Sequence, residues 1–465
     1  MCGICGIIHF NEIPVDEIAI SRMMKKQKHR GPDDDGIFIE NNVGFGFVRL
    51  SIIDLSPAGH QPMVSEGGQY VIVFNGEIYN YIEIRAELQK KGYLFRTHND
   101  TEVLLTAYRE WGEKCLQRFN GMWAFMIYDK ETKNLFAARD RFGVKPFYYY
   151  SDQDQFIFAS EIPPILEVWN HKAEPDNEVI FDYLVFNRTD QTELTFFKGI
   201  KKLQHGHSLS IKNSQLSINK WYDLRSNLKE PFKSPDEYRE LLSSAIGLRL
   251  RSDVPVGVCL SGGLDSSSIV STLLADHNKK DINTFSAIYR SDQTADESKF
   301  IDEYKGQLKN MFYITPTSET LIHDLPDFIK AHAEPMPRTG PYAQFKIMEL
   351  AHQQVVVTLG GQGADEQLAG YHYFFGFYFK ELLKKGSLVK LTSEILHYLR
   401  IHCSSIGLTC FLFFLLPEKR RTAIMANEKG YLDPQFVRKH IKTNNSISGN
   451  IYGSSTLHDA LLNHF

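Results

Sequence analysis

Cysteine is scarce: the 465-residue chain carries six. That density cannot build a disulfide scaffold and points to a reducing compartment, the cytoplasm. Long apolar runs are missing as well. The longest, CFLFFLL at 410–416, is too short to span a bilayer and reads as a buried helix. No basic segment followed by an apolar one opens the chain, so no secretory leader is expected. Neither sign of charge is in excess. The 52 basic and 56 acidic side chains leave a net charge of −4, which argues against a broad nucleic-acid-binding surface. Internal repeats and low-complexity tracts are absent. With 43% hydrophobic and 23% charged residues, wholesale disorder is excluded. The length suits about two or three domains.

Two textures follow one another. Before about residue 205, short apolar and aromatic runs separated by Gly, Asn and Asp read as strands: 43–48, 70–74, 124–128, 135–138, 147–150 and 156–159. Residues 103–119 read as a helix, with Leu104, Ala107, Tyr108, Trp111 and Cys115 three or four apart. This is the pattern of an α+β layered domain. After a polar stretch at 212–230 the pattern changes. A helix over 235–250 leads to a strand at 254–260, a Gly-rich turn, and a helix from 265 to 274. Further strands are expected at 282–289 and 354–359, and helices fill the last hundred residues. Strand and helix in alternation define a parallel α/β domain. The expected division is 2–215 and 235–465.

Cys2 follows Met1 directly. Removal of Met1 would leave a thiol beside its own α-amine, whose ordinary pKa of about 7.7–8.0 lets it take the thiol proton near neutrality. Cys2 and Cys5 also make C-x-x-C, but no second pair stands at metal spacing. Around the nucleophile lie MCGICGII at 1–8, RGPDDDG at 30–36, RLSIID at 49–54 and HQPM at 60–63. NGEIYN at 75–80, DTE at 100–102 and ARDRFGVKPFYY at 138–149 complete the set. Taken alone, Asn75-Gly76 is an ordinary hairpin dipeptide and Asp100 a helix N-cap. In this order and spacing, however, the seven motifs resemble the glutamine amidotransferase domain of the glutamine-hydrolysing asparagine synthetases, over roughly 2–222. The resemblance implies an αββα sandwich of the N-terminal-nucleophile hydrolases. It implies Cys2 as nucleophile, and the Asn75 side chain with the Gly76 N–H, in a tight N-G turn, as oxyanion donors. Arg49 would grip the glutamine α-carboxylate, and Asp100 with Glu77 the α-ammonium.

The second domain carries SGGLDSS at 261–267 between a strand and a helix. Gly and Ser there offer N–H and O–H groups to an anion at a helix N-terminus, and no G-K-[ST] closes a Walker loop. The form resembles the pyrophosphate loop of enzymes that cleave ATP to AMP and pyrophosphate. Leu260, Ser261, Gly262, Gly263, Asp265 and Ser266 would then bind ATP, and Asp265 would hold Mg²⁺. TLGGQGADEQLAGY at 358–371 resembles the same family's second nucleotide motif. Gly360 and Gly361 would contact ATP and Asp365 would share the Mg²⁺. Ala287 and Ile288, in FSAI at 285–288, both remain open as the adenine contact. Arg338 is a candidate for the aspartate or adenylate.

Two departures stand out. Where the family usually carries Glu, at the residue tied to β-aspartyl-AMP, this chain has Gln362. The family's closing S-M-x-x-x-x-E-x-R-x-P-F-L-D segment is also missing, so the synthetase domain is expected to be incomplete. The expected activity is that of a carbon–nitrogen ligase with glutamine as nitrogen donor, making asparagine from aspartate and ATP. The expected partners are these small molecules, with neither nucleic acid nor membrane, and a homodimer is left open. Amidation of another carboxylate, which Gln362 favours, and glutaminase activity alone are the alternatives.

Overall fold

The computed structural model describes residues 1–289, 297–336, 338–441 and 453–463. Residues 1–174 and 192–360 form one compact unit, and 175–191 with 361–465 form a second.

The first unit opens with twelve strands. They are β1 (Gly3–His9), β2 (Asp34–Glu40), β3 (Val43–Arg49), β4 (Met63–Val64), β5 (Tyr70–Ile78), β6 (Gly121–Asp129), β7 (Leu135–Arg139), β8 (Tyr148–Ser151), β9 (Gln155–Ala159), β10 (Lys201–Lys202), β11 (His207–Lys212) and β12 (Gln215–Lys220). They make two six-stranded antiparallel sheets, ordered β10-β8-β9-β1-β3-β2 and β12-β11-β7-β6-β5-β4. The two-residue period of a strand sorts the side chains. On β5, Val71 and Val73 join Ile4, Phe45, Phe47 and Phe158 in one core. Ile72 and Phe74 point the other way, onto Leu88 of the helix Tyr81–Lys90 and Leu104 of the helix Asp100–Trp111. Across the first sheet, Cys5, Ile7 and Ile157 meet Ile20 and Met23 of the helix Glu17–Lys26 and Ile165 of the helix Ile162–Val168. The layers are therefore helix, sheet, sheet, helix, as expected. The helix expected over 103–119 is shorter than its periodicity suggests. It ends at Trp111, Gly112 takes a φ of +57°, and a 3-10 turn continues to Gln117.

After the helix Pro235–Arg249 come β13 (Val256–Cys259), β14 (Asn283–Ala287), β15 (Asn310–Ile314) and β16 (Val357–Leu359). All three pairings are parallel, in the order β15-β14-β13-β16. Val258, Leu260, Val270 and Leu273 bind the sheet to the helix Leu264–Ala275. The sequence pattern did not announce β15. A short turn precedes β13 and binds the loop after β3, the end of β5 and the helix Tyr81–Lys90. The Arg251 guanidinium donates to the Tyr79 carbonyl at 2.6 Å and to both Glu83 oxygens at 2.7 and 2.6 Å. The Asp253 N–H donates to the Ile52 carbonyl at 2.9 Å, and its carboxylate accepts the Asp54 N–H at 2.8 Å.

The second unit is helical, built around the helices Asn177–Phe186, His372–Lys384, Leu388–His402 and Ile406–Leu415. Phe377 and Phe414 stack at 4.1 Å. The apolar run at 410–416 is only half buried, which corrects the expectation: Phe411 and Phe414 face inward while Leu412 and Leu415 are exposed. Among the described residues, no helix is long and apolar enough to cross a membrane.

Candidate active site

Cys2 sits at the start of β1, where its Sγ donates to the Leu50 carbonyl at 3.5 Å and accepts the Leu50 N–H at 3.4 Å. The Arg30 Nε holds the Cys2 carbonyl at 3.0 Å, and Glu161 holds Arg30 at 2.8 Å. Burial pushes the thiol above its ordinary value; the Leu50 contact, the terminal amine, Lys145 and Arg30 oppose that. Met1 is in place and lines the same narrow cavity of about 40 Å³. Its amine is lowered to about 5, chiefly by burial. Such an amine is unprotonated at neutral pH; it belongs to Met1 and not to Cys2.

Arg49, Asn75, Gly76, Glu77 and Asp100 all line this cavity with Cys2, so every residue predicted for the first site converges. Their surroundings differ from expectation in two places. Asn75 and Gly76 are not in a turn. They lie inside β5, opposite Ala124 and Trp123 of β6, because the strand runs on to Ile78. A Cβ at Gly76 would stand 2.4 Å from the Met122 carbonyl, so close strand packing, rather than a turn, requires glycine here. Asp100 is not the N-cap either. Asn99 caps that helix by accepting the Thr101 N–H, which frees the Asp100 carboxylate to accept the Ile78 N–H at 2.8 Å.

The edge of β5 explains the donors. The Phe74 N–H goes to Gln61 at 2.7 Å and the Ile78 N–H to Asp100. By alternation the Gly76 N–H points to that same edge, between those two acceptors, and meets none among the described residues. The Asn75 Nδ2 is also buried and without an acceptor. Two adjacent donors thus face the cavity unpaired, which is costly and uncommon in a folded protein.

Arg49 donates to the Ser56 carbonyl at 2.9 Å and to the Asp54 carbonyl. Gly59 leaves room for the guanidinium, since a Cβ there would lie 1.9 Å from it. Burial pushes the Asp100 carboxyl up to about 7 and also raises Glu77, against the pull of Lys145. Sequence reasoning missed Leu50, Gln61, Asn99 and Lys145. Leu50, Gln61 and Lys145 stand inside motifs already quoted, where their neighbours drew the attention.

The second site starts at the C-terminal ends of the parallel strands. β14 lies on one side of β13 and β16 on the other, so the chain reverses its direction of travel there. Such a reversal opens a crevice for a ligand. Leu260 to Gly263 leave β13, and Gly360 leaves β16. The loop is internally braced. The Ser261 N–H donates to the Ser266 Oγ at 3.1 Å, the two hydroxyls lie 3.0 Å apart, and the Gly263 N–H donates to the Ser261 Oγ at 3.2 Å. Gly262 has a φ of +88°, which glycine takes without strain. No side chain caps the helix after Gly263, and Asp265 lies in its first turn. Ala287 ends β14, and the Ile288 N–H donates to the Ile314 carbonyl at 2.9 Å. Gly361, Gln362 and Asp365 belong to the second unit. There Gln362 is exposed, and Asp365 lies in the first turn of a five-residue helix with its carboxylate folded against Gly370. Arg338 is exposed.

Two family models match the chain: a glutamine amidotransferase domain over residues 1–222 and asparagine synthase over 237–408. Fold and site together define a two-sheet glutamine amidotransferase joined to an ATP-using synthetase domain. A Methanocaldococcus jannaschii protein named "putative asparagine synthetase [glutamine-hydrolyzing] 2" is 37% identical, over 83% of this chain and 78% of its own length. Asparagine synthetases [glutamine-hydrolyzing] 1 and 3 of Bacillus subtilis are 37% and 33% identical, each over 80% of this chain. The chain spans 59% and 64% of those two proteins. It belongs to the family of glutamine-hydrolysing asparagine synthetases.

Proposed function

We propose that the chain hydrolyses glutamine at Cys2 and uses the ammonia, with ATP, to convert aspartate to asparagine. The observation that carries the first half is the pair of unpaired donors, Asn75 Nδ2 and Gly76 N–H, beside the thiol. With Met1 removed, the Cys2 amine takes the thiol proton, and the sulfur adds to the glutamine side-chain carbonyl. The resulting oxyanion accepts from Asn75 and Gly76, which need no reorganisation to meet it. The C–N bond breaks, ammonia leaves with the proton held by the amine, and water cleaves the thioester to glutamate. Arg49 takes the α-carboxylate, and Asp100 with Glu77 the α-ammonium.

In the second half, ATP would lie against Leu260, Ser261, Gly262, Gly263, Asp265 and Ser266, with Ala287, Ile288, Gly360 and Gly361 also in contact. A carboxylate is a poor electrophile. Adenylation supplies AMP as the leaving group for ammonia, and Gln362 stands where the family handles that intermediate. Asp265 and Asp365 offer the hard oxygen donors that Mg²⁺ takes, and that ion binds through one or two carboxylates plus phosphate. Bound there, it would neutralise pyrophosphate charge. The domains 2–215 and 235–465 then divide the labour, and the six free thiols suit the cytoplasm. A second reading, amidation of another carboxylate, rests on Gln362, which lacks the charge of Glu.

The test pairs two variants. Cys2→Ala is expected to abolish glutamate release yet keep AMP formation with added ammonia and aspartate. Asp265→Asn is expected to do the reverse. Glutamate release by Cys2→Ala would overturn the nucleophile. AMP formation that depends on a carboxylate other than aspartate would favour the second reading.

A further inference from the structure

Lys145 is buried, 5% exposed, and lines the same cavity as Cys2. Its main chain is fixed on both sides. The N–H donates to Asp140 at 3.0 Å, and the carbonyl accepts the Arg139 Nε at 2.7 Å. Asp140 also accepts the N–H groups of Trp123, Phe142 and Val144, so the whole turn is rigid. The side chain is therefore delivered into the cavity by a locked loop. Once there, its ammonium makes no hydrogen bond and no ion pair among the described residues. Glu77 lines the same space without closing on it. An unpaired buried ammonium is expensive and calls for a negative partner that comes and goes. The cavity has one group that becomes negative only during turnover: the Cys2 sulfur.

We propose that Lys145 is the electrostatic partner of the Cys2 thiolate, favouring the ionised sulfur that attacks the substrate. The role rests on reading Cys2 as the nucleophile. Titratable and charged groups line or adjoin the cavity around the sulfur: the terminal amine, Arg30, Arg49, Glu77, Asp100 and Lys145. Arg30 is bound to Glu161 and to the Cys2 carbonyl, and Arg49 to the carbonyls of the loop at 54–56. Glu77 and Asp100 oppose ionisation. Lys145 is the cation left uncommitted, and its burial depresses its own pKa while Glu77 and Cys2 raise it. No covalent step passes through it. It acts on the proton equilibrium of the thiol and is a positioning residue.

The experiment follows iodoacetamide alkylation of the Cys2 peptide against pH by mass spectrometry, on intact wild type, Lys145→Met, Lys145→Gln and Lys145→Arg. Exposed Cys403 serves as the internal control. The neutral variants should raise the half-point for Cys2 by about one pH unit, so that alkylation near pH 7 slows about tenfold. Lys145→Arg should restore most of it, and Cys403 should not move. A folded Lys145→Met with the wild-type profile overturns the proposal. Should neither neutral variant fold, [ε-¹³C]lysine-labelled wild type gives the reciprocal reading. Blocking Cys2 must then lower the Lys145 titration, and an unmoved resonance overturns the proposal. Glutamate release is measured alongside. A Lys145-dependent profile without glutamate release keeps the assignment and sinks the glutaminase reading. Glutamate release with a Lys145-independent profile does the opposite.

Discussion

Asp100 shows what a binding site costs the empty protein. Its carboxyl is buried and faces Glu77, and its pKa rises to about 7 although backbone N–H groups, that of Ile78 foremost, oppose the shift. An ordinary aspartate, near 3.8, is already ionised well below that. The folded state therefore prefers the protonated acid. That contribution to stability is complete below about 4 and is lost as pH climbs through about 7. Asp100→Asn removes the ionisation and keeps an oxygen for the Ile78 N–H. It should melt above wild type at about pH 8 and level with it at about pH 4, as read by calorimetry, while glutamine binding is lost. On the role proposed for Asp100 as partner of the substrate ammonium, the glutamine KM of the wild type should rise as pH falls through about 7. Equal melting temperatures at both pH values would show that the carboxyl is not held protonated.

At the scale of elements, the sequence was most legible where both faces of a strand are apolar. The runs around 43–48, 70–74 and 124–128 all became strands, and their two-residue period assigns Val71 and Ile72 to opposite cores. It was least legible where local chemistry competes with pairing. Asn75-Gly76 has the composition of a turn, yet nine ladder pairs with β6 keep β5 extended through it. The period at 103–119 overran because Trp111 and Cys115 keep helical spacing across a glycine that turns the chain. β15, a five-residue edge strand paired to β14 alone, is rich in strand formers but too short to stand out from the polar residues around it. The first site was legible through its motifs, which name the residues that line the cavity with Cys2. Those that hold them, such as Gln61 and Asn99, become visible only when β5 is seen to have a free edge. Gly76→Ala tests the element directly. Its methyl group would meet the Met122 carbonyl and, at 2.7 Å, the Trp123 Cα. The loss should be about 1–3 kcal/mol in urea unfolding, with glutamate release falling further as the β5 edge shifts. A variant of wild-type stability would mean that β6 yields there.

For the whole molecule, the turn at 249–253 bears most weight. It joins the loop that shapes the Arg49 pocket to β13, which ends at Cys259 just before the loop at 260–263. Asp253 braces Ile52 and Asp54 directly, and Arg251 holds Tyr79 and Glu83. By contrast, the covalent connection through 226–233 is exposed along its length. A tether of that kind sets only a local concentration, while the turn sets an orientation. The peptide bond there should thus be dispensable once folding is complete. With a protease site placed between Leu228 and Ser234, the cut chain should elute as one particle and keep its glutamate release. The same cut combined with Arg251→Ala and Asp253→Ala should leave the pieces together on sizing, held by Phe181, Val185 and Phe186 against Ala426, and should raise the glutamine KM as the loop at 52–54 loosens. Nature could then assemble this protein from two genes as readily as from one, provided that the helix Asn177–Phe186 stays on the first and the short turn before β13 travels with the second.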